Sequence, residues 1–242
     1  MTTNKEARDI VVKPISSTNA AKIVRAYHYS GKTAANSQLH FGVFLDGKCG
    51  GAMQFGPSLD KSKMLGIVKD TKWNGFLELN RMAFSDWLPR NSESRALGVA
   101  LRMIKKNYPH IEWIVSFSDG TQCGDGTIYR ASGFVLTQIR ENKTILKLPN
   151  GEITTDLTLN ISGAKTGKTA GWWKKNGAVP LKGFQLRYIY FLNPEARSRL
   201  TVPEIPFSEI KRRGASMYLG KANLGGGSIA SNASDFQSGK GG

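Results

Sequence analysis

Strand-patterned and helix-patterned stretches alternate along this chain, and a chain built that way layers helices on a sheet. Residues 10–15, IVVKPI, are short and β-branched, and SSTNAAKIVRAYHYSG after them offers Ser17 or Thr18 as a helix cap ahead of Ala21, Ile23 and Val24. In HFGVFLDGKCGGAMQFG two apolar runs flank Asp46-Gly47, a dipeptide suited to the positive φ angles of a tight hairpin turn. FLELNRMAFSDWLP reads as another strand and leads into RNSESRALGVALRMIKK, where Leu97, Ala100, Leu101 and Ile104 recur at helical spacing. A buried strand through Ile111, Trp113, Ile114, Val115 and Phe117 follows. Then come a short helix around GTIYRASGF, strands through FVLTQIRENKTILKL, and an alternating strand from Gly183 to Leu192. With 242 residues and 40% hydrophobic content, one domain is expected over residues 1–219. From Gly220 the chain is Gly, Ser, Ala and Asn with few apolar side chains, which predicts a disordered tail over 220–242.

Lysine and arginine number 34 against 18 acidic residues, a formal charge of +16, and that sign and size point to a polyanionic partner, nucleic acid first. No uninterrupted apolar run is long enough to span a bilayer, and the opening residues lack a secretory pattern, so neither membrane insertion nor secretion is expected. The expected compartment is the cytoplasm. Cys49 and Cys123 have no C-x-x-C partners and read as two reduced thiols.

Two segments carry chemistry. In RNSESRALGVA small and polar residues open a helix, where free backbone N–H groups and the positive dipole end suit a pyrophosphate; Ser92 and Ser94 add hydroxyls, Arg90 and Arg95 charge. This resembles the coenzyme A loop of the GNAT acetyltransferases, although Glu93, Ser94 and Arg95 stand where that family has glycines. GTIYRASGF resembles the same family's Y-x-x-x-G-F element through Tyr129, Gly133 and Phe134. The resemblance implies a GNAT-like α/β fold, a mixed central sheet flanked by helices with a basic C-terminal extension. It also implies that the Tyr129 phenol protonates a leaving group.

Together with AYHYSGK, ELNRMAF and FSDG, these segments resemble the Mom proteins of Mu-like phages, from about Ala26 to Phe134 and more loosely to Arg213. That family converts adenine in DNA to an N6-carbamoylmethyl form that resists restriction. The resemblance implies functional roles for His28, Tyr29, Arg81, Ser94, Asp119 and Tyr129, with acetyl-coenzyme A or another acyl or glycine-derived donor, and Fe(II), as suggested cofactors. The residues themselves allow this. His28 lies at a helix end beside a glycine-containing turn, and Asp119 ends an apolar strand where open α/β sheets place ligands, though an Asp-Gly turn competes for that role. Either can act as a base, and the pair can supply N and O ligands to iron. Arg81, in mid-strand, is expected either to bridge to a carboxylate or to meet an anion.

An enzyme acting on N6 must flip the base from double-stranded DNA or take unpaired DNA. Lys165, Lys168, Lys174 and Lys175 with Trp172 and Trp173 combine phosphate-contacting charge with stacking faces, inside a basic part spanning 165–213. The competing arrangement there is a buried tryptophan flanked by solvated lysines. Two other functions fit the pattern: a conventional N-acetyltransferase acting on a protein or small amine, and a non-catalytic DNA-binding protein on the same fold.

Overall fold

The computed structural model describes residues 5–120, 124–218 and 221–222, so Cys123 and nearly all of the 220–242 tail lie outside the described residues. The chain folds into two compact units, one within Met1–Val115 and Phe191–Thr201, the other within Ser116–Tyr190 and Val202–Asn223.

In the first unit β1 (Val11–Pro14), α1 (Ser17–Tyr27), β2 (Leu39–Leu45), β3 (Lys48–Gly56), α2 (Lys61–Leu65), β4 (Phe76–Phe84) and α3 (Ser92–Asn107) lead into β5 (Trp113–Asp119). Strands β1 to β4 pair antiparallel in sequence order, whereas β5 joins β4 in parallel, Phe76 facing Trp113. The sheet is therefore mixed, as the family resemblance implies, and mostly antiparallel. Asp46 and Gly47 turn the β2–β3 hairpin with φ of 49° and 80°.

The cap of α1 is Ser16 rather than Ser17 or Thr18. Ser16 stays extended, and its hydroxyl accepts from the Asn19 N–H at 3.2 Å. Ala20 and Val24 of α1 are fully buried against Ala52 of β3 and Ala83 of β4, small residues that let the helix approach the sheet. Trp113 stacks on Phe76 with centroids 4.3 Å apart and donates its indole N–H to Thr71 Oγ1 at 3.0 Å. Burying each such ring stabilises the unit by about 1.5–3 kcal/mol.

In the second unit the end of β5 is followed by α4 (Thr127–Ala131), β6 (Val135–Glu141), β7 (Ile145–Lys147), β8 (Ile153–Thr155), α5 (Asp156–Gly163), α6 (Ala170–Lys175), β9 (Val179–Pro180) and β10 (Phe184–Phe191). β10 pairs antiparallel with β6, and β8-β7-β9 form a separate three-stranded sheet. Around Leu146, Leu148, Leu159, Ala170 and Ala178 that small sheet and α5–α6 build their own core. The chain continues through α7 (Glu195–Ser198) in the first unit and α8 (Ser208–Arg212) in the second. Among the described residues no helix is long and apolar enough to cross a membrane.

Candidate active site

His28 follows the last residue of α1, its backbone N–H closing the helix on Val24 O at 2.9 Å, and Gly31 (φ 59°) turns the chain directly after it. The Ser30 backbone N–H lies 3.2 Å from His28 Nδ1 and the Ser30 hydroxyl 2.8 Å from it. A backbone N–H only donates, so Nδ1 is an acceptor, and the proton of the neutral ring sits on Nε2. Burial, with the Arg81 charge nearby, lowers the imidazole pKa to about 4. At neutral pH His28 therefore presents an uncharged N–H donor, the opposite of a base at Nε2. Tyr29, 54% exposed, stacks on it at 4.3 Å.

Arg81 donates from Nε to Lys32 O at 2.9 Å and from Nη1 to Asn80 O at 2.6 Å, which fixes the guanidinium over the turn after α1. Neither of these bonds goes to a carboxylate, one of the two expected partners. Glu78 nevertheless feels the charge: burial raises its carboxyl pKa, while bonds from Ser58 and Asn80 and the field of Arg81 lower it. The β3–β4 register slips between Gln54 and Phe55, leaving Asn80 as an extra residue in β4 whose amide oxygen accepts from Ser37 at 3.0 Å.

At the start of α3, Asn91 adopts the left-handed conformation (φ 69°) and makes no side-chain cap bond, and of the first-turn N–H groups that of Ser92 donates to Pro89 O at 3.1 Å. Ser92 is 1% exposed and its hydroxyl has no partner. Ser94 is committed instead, donating to Asn91 O at 3.2 Å. Arg90 and Arg95 are exposed, and Glu93 already sets one acid against the dipole. A first turn without a side-chain cap, an orphaned buried hydroxyl and two cations suit a pyrophosphate, so the residues present fit coenzyme A.

In the second unit Asp119 is the last residue of β5 and half-buried. Tyr129 sits in α4 with its ring 5.3 Å from Tyr188 and 5.5 Å from Phe134, and Gly133 (φ 84°) makes the turn that the Gly-Phe pair predicts. Tyr188 pins this element. It is fully buried, its hydroxyl donates to the Asp125 carbonyl, and burial keeps the phenol protonated by raising its pKa. A side chain at Gly126 (φ 77°) would place Cβ 2.5 Å from the Tyr188 ring, so only glycine allows the loop this close. Asp125 also pairs with Arg130 at 3.1 Å.

The tryptophans of α6 separate. Trp173 packs on the core of the small sheet, whereas Trp172 is 37% exposed, edge-on to Trp173 and 5.5 Å from Lys168 Nζ. Lys165, Lys168 and Lys175 are exposed, and Lys174 is paired with Asp156 at 2.8 Å. Farther along, Glu209 in α8 binds both Arg212 and Arg213.

Among the described residues no three His, Cys, Asp or Glu side chains gather as ligands. His28 has its Nδ1 lone pair engaged by Ser30 and feels the positive charge of Arg81, a setting unfavourable to a metal ion. The residues present do not fit iron at His28.

Sequence patterns missed four residues. Ser30, Gln54 and Tyr188 carry no local signature; Arg187 is hidden in an alternating strand, 8% exposed, bonded through Nε to Thr137 Oγ1 at 2.9 Å and paired with no carboxylate among the described residues. Of these only Ser30, next but one to His28, had a neighbour to flag it.

Residues 9–209 match the Mom protein family. The chain is 39% identical over 198 residues to methylcarbamoylase mom of Escherichia phage Mu, covering 80% of each protein. It belongs to the Mom protein family. That Mom relative's name describes a group-transferring enzyme. Solved structures similar to this Mom family member include the ribosomal-protein-S18-alanine N-acetyltransferase of Escherichia coli, with TM-score 0.44 and 10% identity, over 76% of this chain and 94% of that one. The Drosophila melanogaster polyamine N acetyltransferase matches at TM-score 0.44 and 10% identity, over 76% and 100%.

Proposed function

We propose that the chain transfers a carbamoylmethyl group to the exocyclic N6 of adenine in DNA. Membership of the Mom family, with 39% identity to a methylcarbamoylase, carries this reading. The charge of +16 and the exposed Trp172 among lysines support DNA as the substrate.

The N6 lone pair is delocalised into the ring, so the nitrogen needs help. In the reaction an N6–H bond breaks and an N6–CH₂ bond forms, and the donor's methylene releases a leaving group with its bonding electrons. Asp119 suits the role of proton acceptor, and Tyr129 that of proton donor to the leaving group. In the first unit His28 Nε2–H and the Arg81 charge suit a carbonyl oxygen of the transferred carboxamide. Coenzyme A would be held by the first turn of α3 with Arg90, Ser92 and Arg95; as a thioester it would activate a carbonyl carbon, so the methylene-linked group is drawn from a glycine-derived donor that carries its leaving group on the methylene.

Nucleoside mass spectrometry of DNA from expressing cells tests this. A deoxyadenosine heavier by one carbamoylmethyl group is expected, together with resistance to restriction digestion. Only unmodified bases from well-folded protein would overturn the reading.

A further inference from the structure

Gln54 is 2% exposed on β3, and its Oε1 has no hydrogen-bond partner. Buried amide oxygens are rarely left so, and such an atom calls for a missing donor. Gln54 lies on the floor of a cleft of 340 Å³ in the first unit. Ala21, Lys22 and Arg25 of α1 and Thr33 of the following loop form its walls, with His40 beside Gln54 below. Gly56 makes the loop wall possible, because a Cβ there would stand 2.4 Å from Asn36 O.

Strand register orders the floor. His40 of β2 faces Gln54 of β3, which faces Arg81 of β4, so the three side chains form one row on one face of the sheet. Gln54 Nε2 lies 3.4 Å from His40 Nδ1, a contact that turns the amide so that its oxygen faces away from His40. One N–H of the amide and the carbonyl remain for a ligand. An amide presenting an acceptor beside a donor complements adenine, whose N6–H donates while N1 or N7 accepts. Guanine and thymine place a carbonyl where the amino group must be, whereas cytosine shares the amino edge but lacks adenine's second ring. Lys22 and Arg25 are exposed on α1 at the rim, where the phosphates flanking an extruded base would lie.

We infer that this cleft receives the flipped adenine, with Gln54 reading its amino edge and His40 positioning the Gln54 amide. The inference rests on the DNA-adenine reading above and adds the specificity residue. Gln54 pairs across the sheet with Arg81, so an amino group held on its oxygen is one strand away from the guanidinium that lies near His28. Accepting one N6 proton also leaves electron density on the nitrogen that must attack.

The experiment is fluorescence anisotropy with thymidine oligonucleotides carrying one central dA, deoxynebularine (the purine without the amino group) or dG. The wild-type chain is expected to bind the dA probe about tenfold or more tighter than the others. Gln54→Met should abolish that preference while keeping the affinity common to all probes, and Ala21→Met, which fills the cleft from α1 without touching β3, should do the same. Melting temperatures confirm that both variants fold. Equal binding of all three probes by wild type, or a preference unchanged in both variants, would overturn the inference. Mass spectrometry of wild-type-expressing cells is read separately. Modified adenine with a preference indifferent to Gln54 leaves the function standing and removes the cleft, whereas a Gln54-dependent preference without modified adenine does the reverse.

Discussion

Ser30 holds the Nδ1 edge of His28 with its backbone N–H at 3.2 Å and its hydroxyl at 2.8 Å. The consequence is a fixed tautomer, and nitrogen NMR reads tautomers directly. In protein labelled with ¹⁵N-histidine near neutral pH, His28 should show an unprotonated Nδ1 and a protonated Nε2. Ser30→Ala keeps the backbone donor, so the tautomer should persist in that variant. A spectrum with the proton on Nδ1 would return His28 to the role of base.

Stability should depend on pH through the same ring. Unfolded, His28 takes up its proton near pH 6.5; folded, only near pH 4. Between those values the unfolded chain binds more protons, so stability is complete above pH 6.5 and is lost as pH falls toward 4. Urea midpoints measured across that window should rise with pH. In His28→Gln that rise should be smaller; an identical slope in the variant would mean that His28 is not the group responsible.

Two tyrosines in contact should respond differently to losing their hydroxyls. Tyr129→Phe keeps the ring, so the melting temperature should hardly move while modification falls by roughly 10²-fold or more. Tyr188→Phe strips the Asp125 carbonyl of its donor and should cost about 1–2 kcal/mol of stability. Full modification by the Tyr129 variant would remove its phenol from the chemistry.

The adjacent tryptophans divide between surface and core in the same way. Trp173→Ala should lower stability by about 3 kcal/mol, because its ring closes the small-sheet core. Trp172→Ala should leave the melting temperature in place and weaken single-strand binding by about 1–3 kcal/mol if a base stacks there. Binding unchanged in the second variant would remove Trp172 from the interface.

Periodicity revealed the central strands and α3 because each runs long enough to repeat its pattern, and Asp46-Gly47 marked its hairpin by chemistry alone. The five short helices α2, α5, α6, α7 and α8 span only four to eight residues each, too few turns for an apolar stripe to stand out. Local motifs brought out His28, Arg81 and Tyr129 because each lies in a recognisable run. Gln54 and Tyr188 stayed hidden: what distinguishes them is an unfilled oxygen and a carbonyl 63 residues away, and both depend on which strands become neighbours. The alternation of apolar and polar residues does not show which of two neighbouring tryptophans turns inward.

Four lysines lie between residues 165 and 175, yet Lys174 already has a carboxylate beside it in Asp156. Where this segment meets DNA as proposed, counterion release would therefore draw on three of them. Each phosphate neutralised on duplex DNA contributes about 0.9 to the fall of log affinity with log salt, so this segment contributes about 2.7 instead of about 3.6. Asp156→Asn would free the fourth lysine, tightening binding at low ionic strength and making the complex more sensitive to added salt.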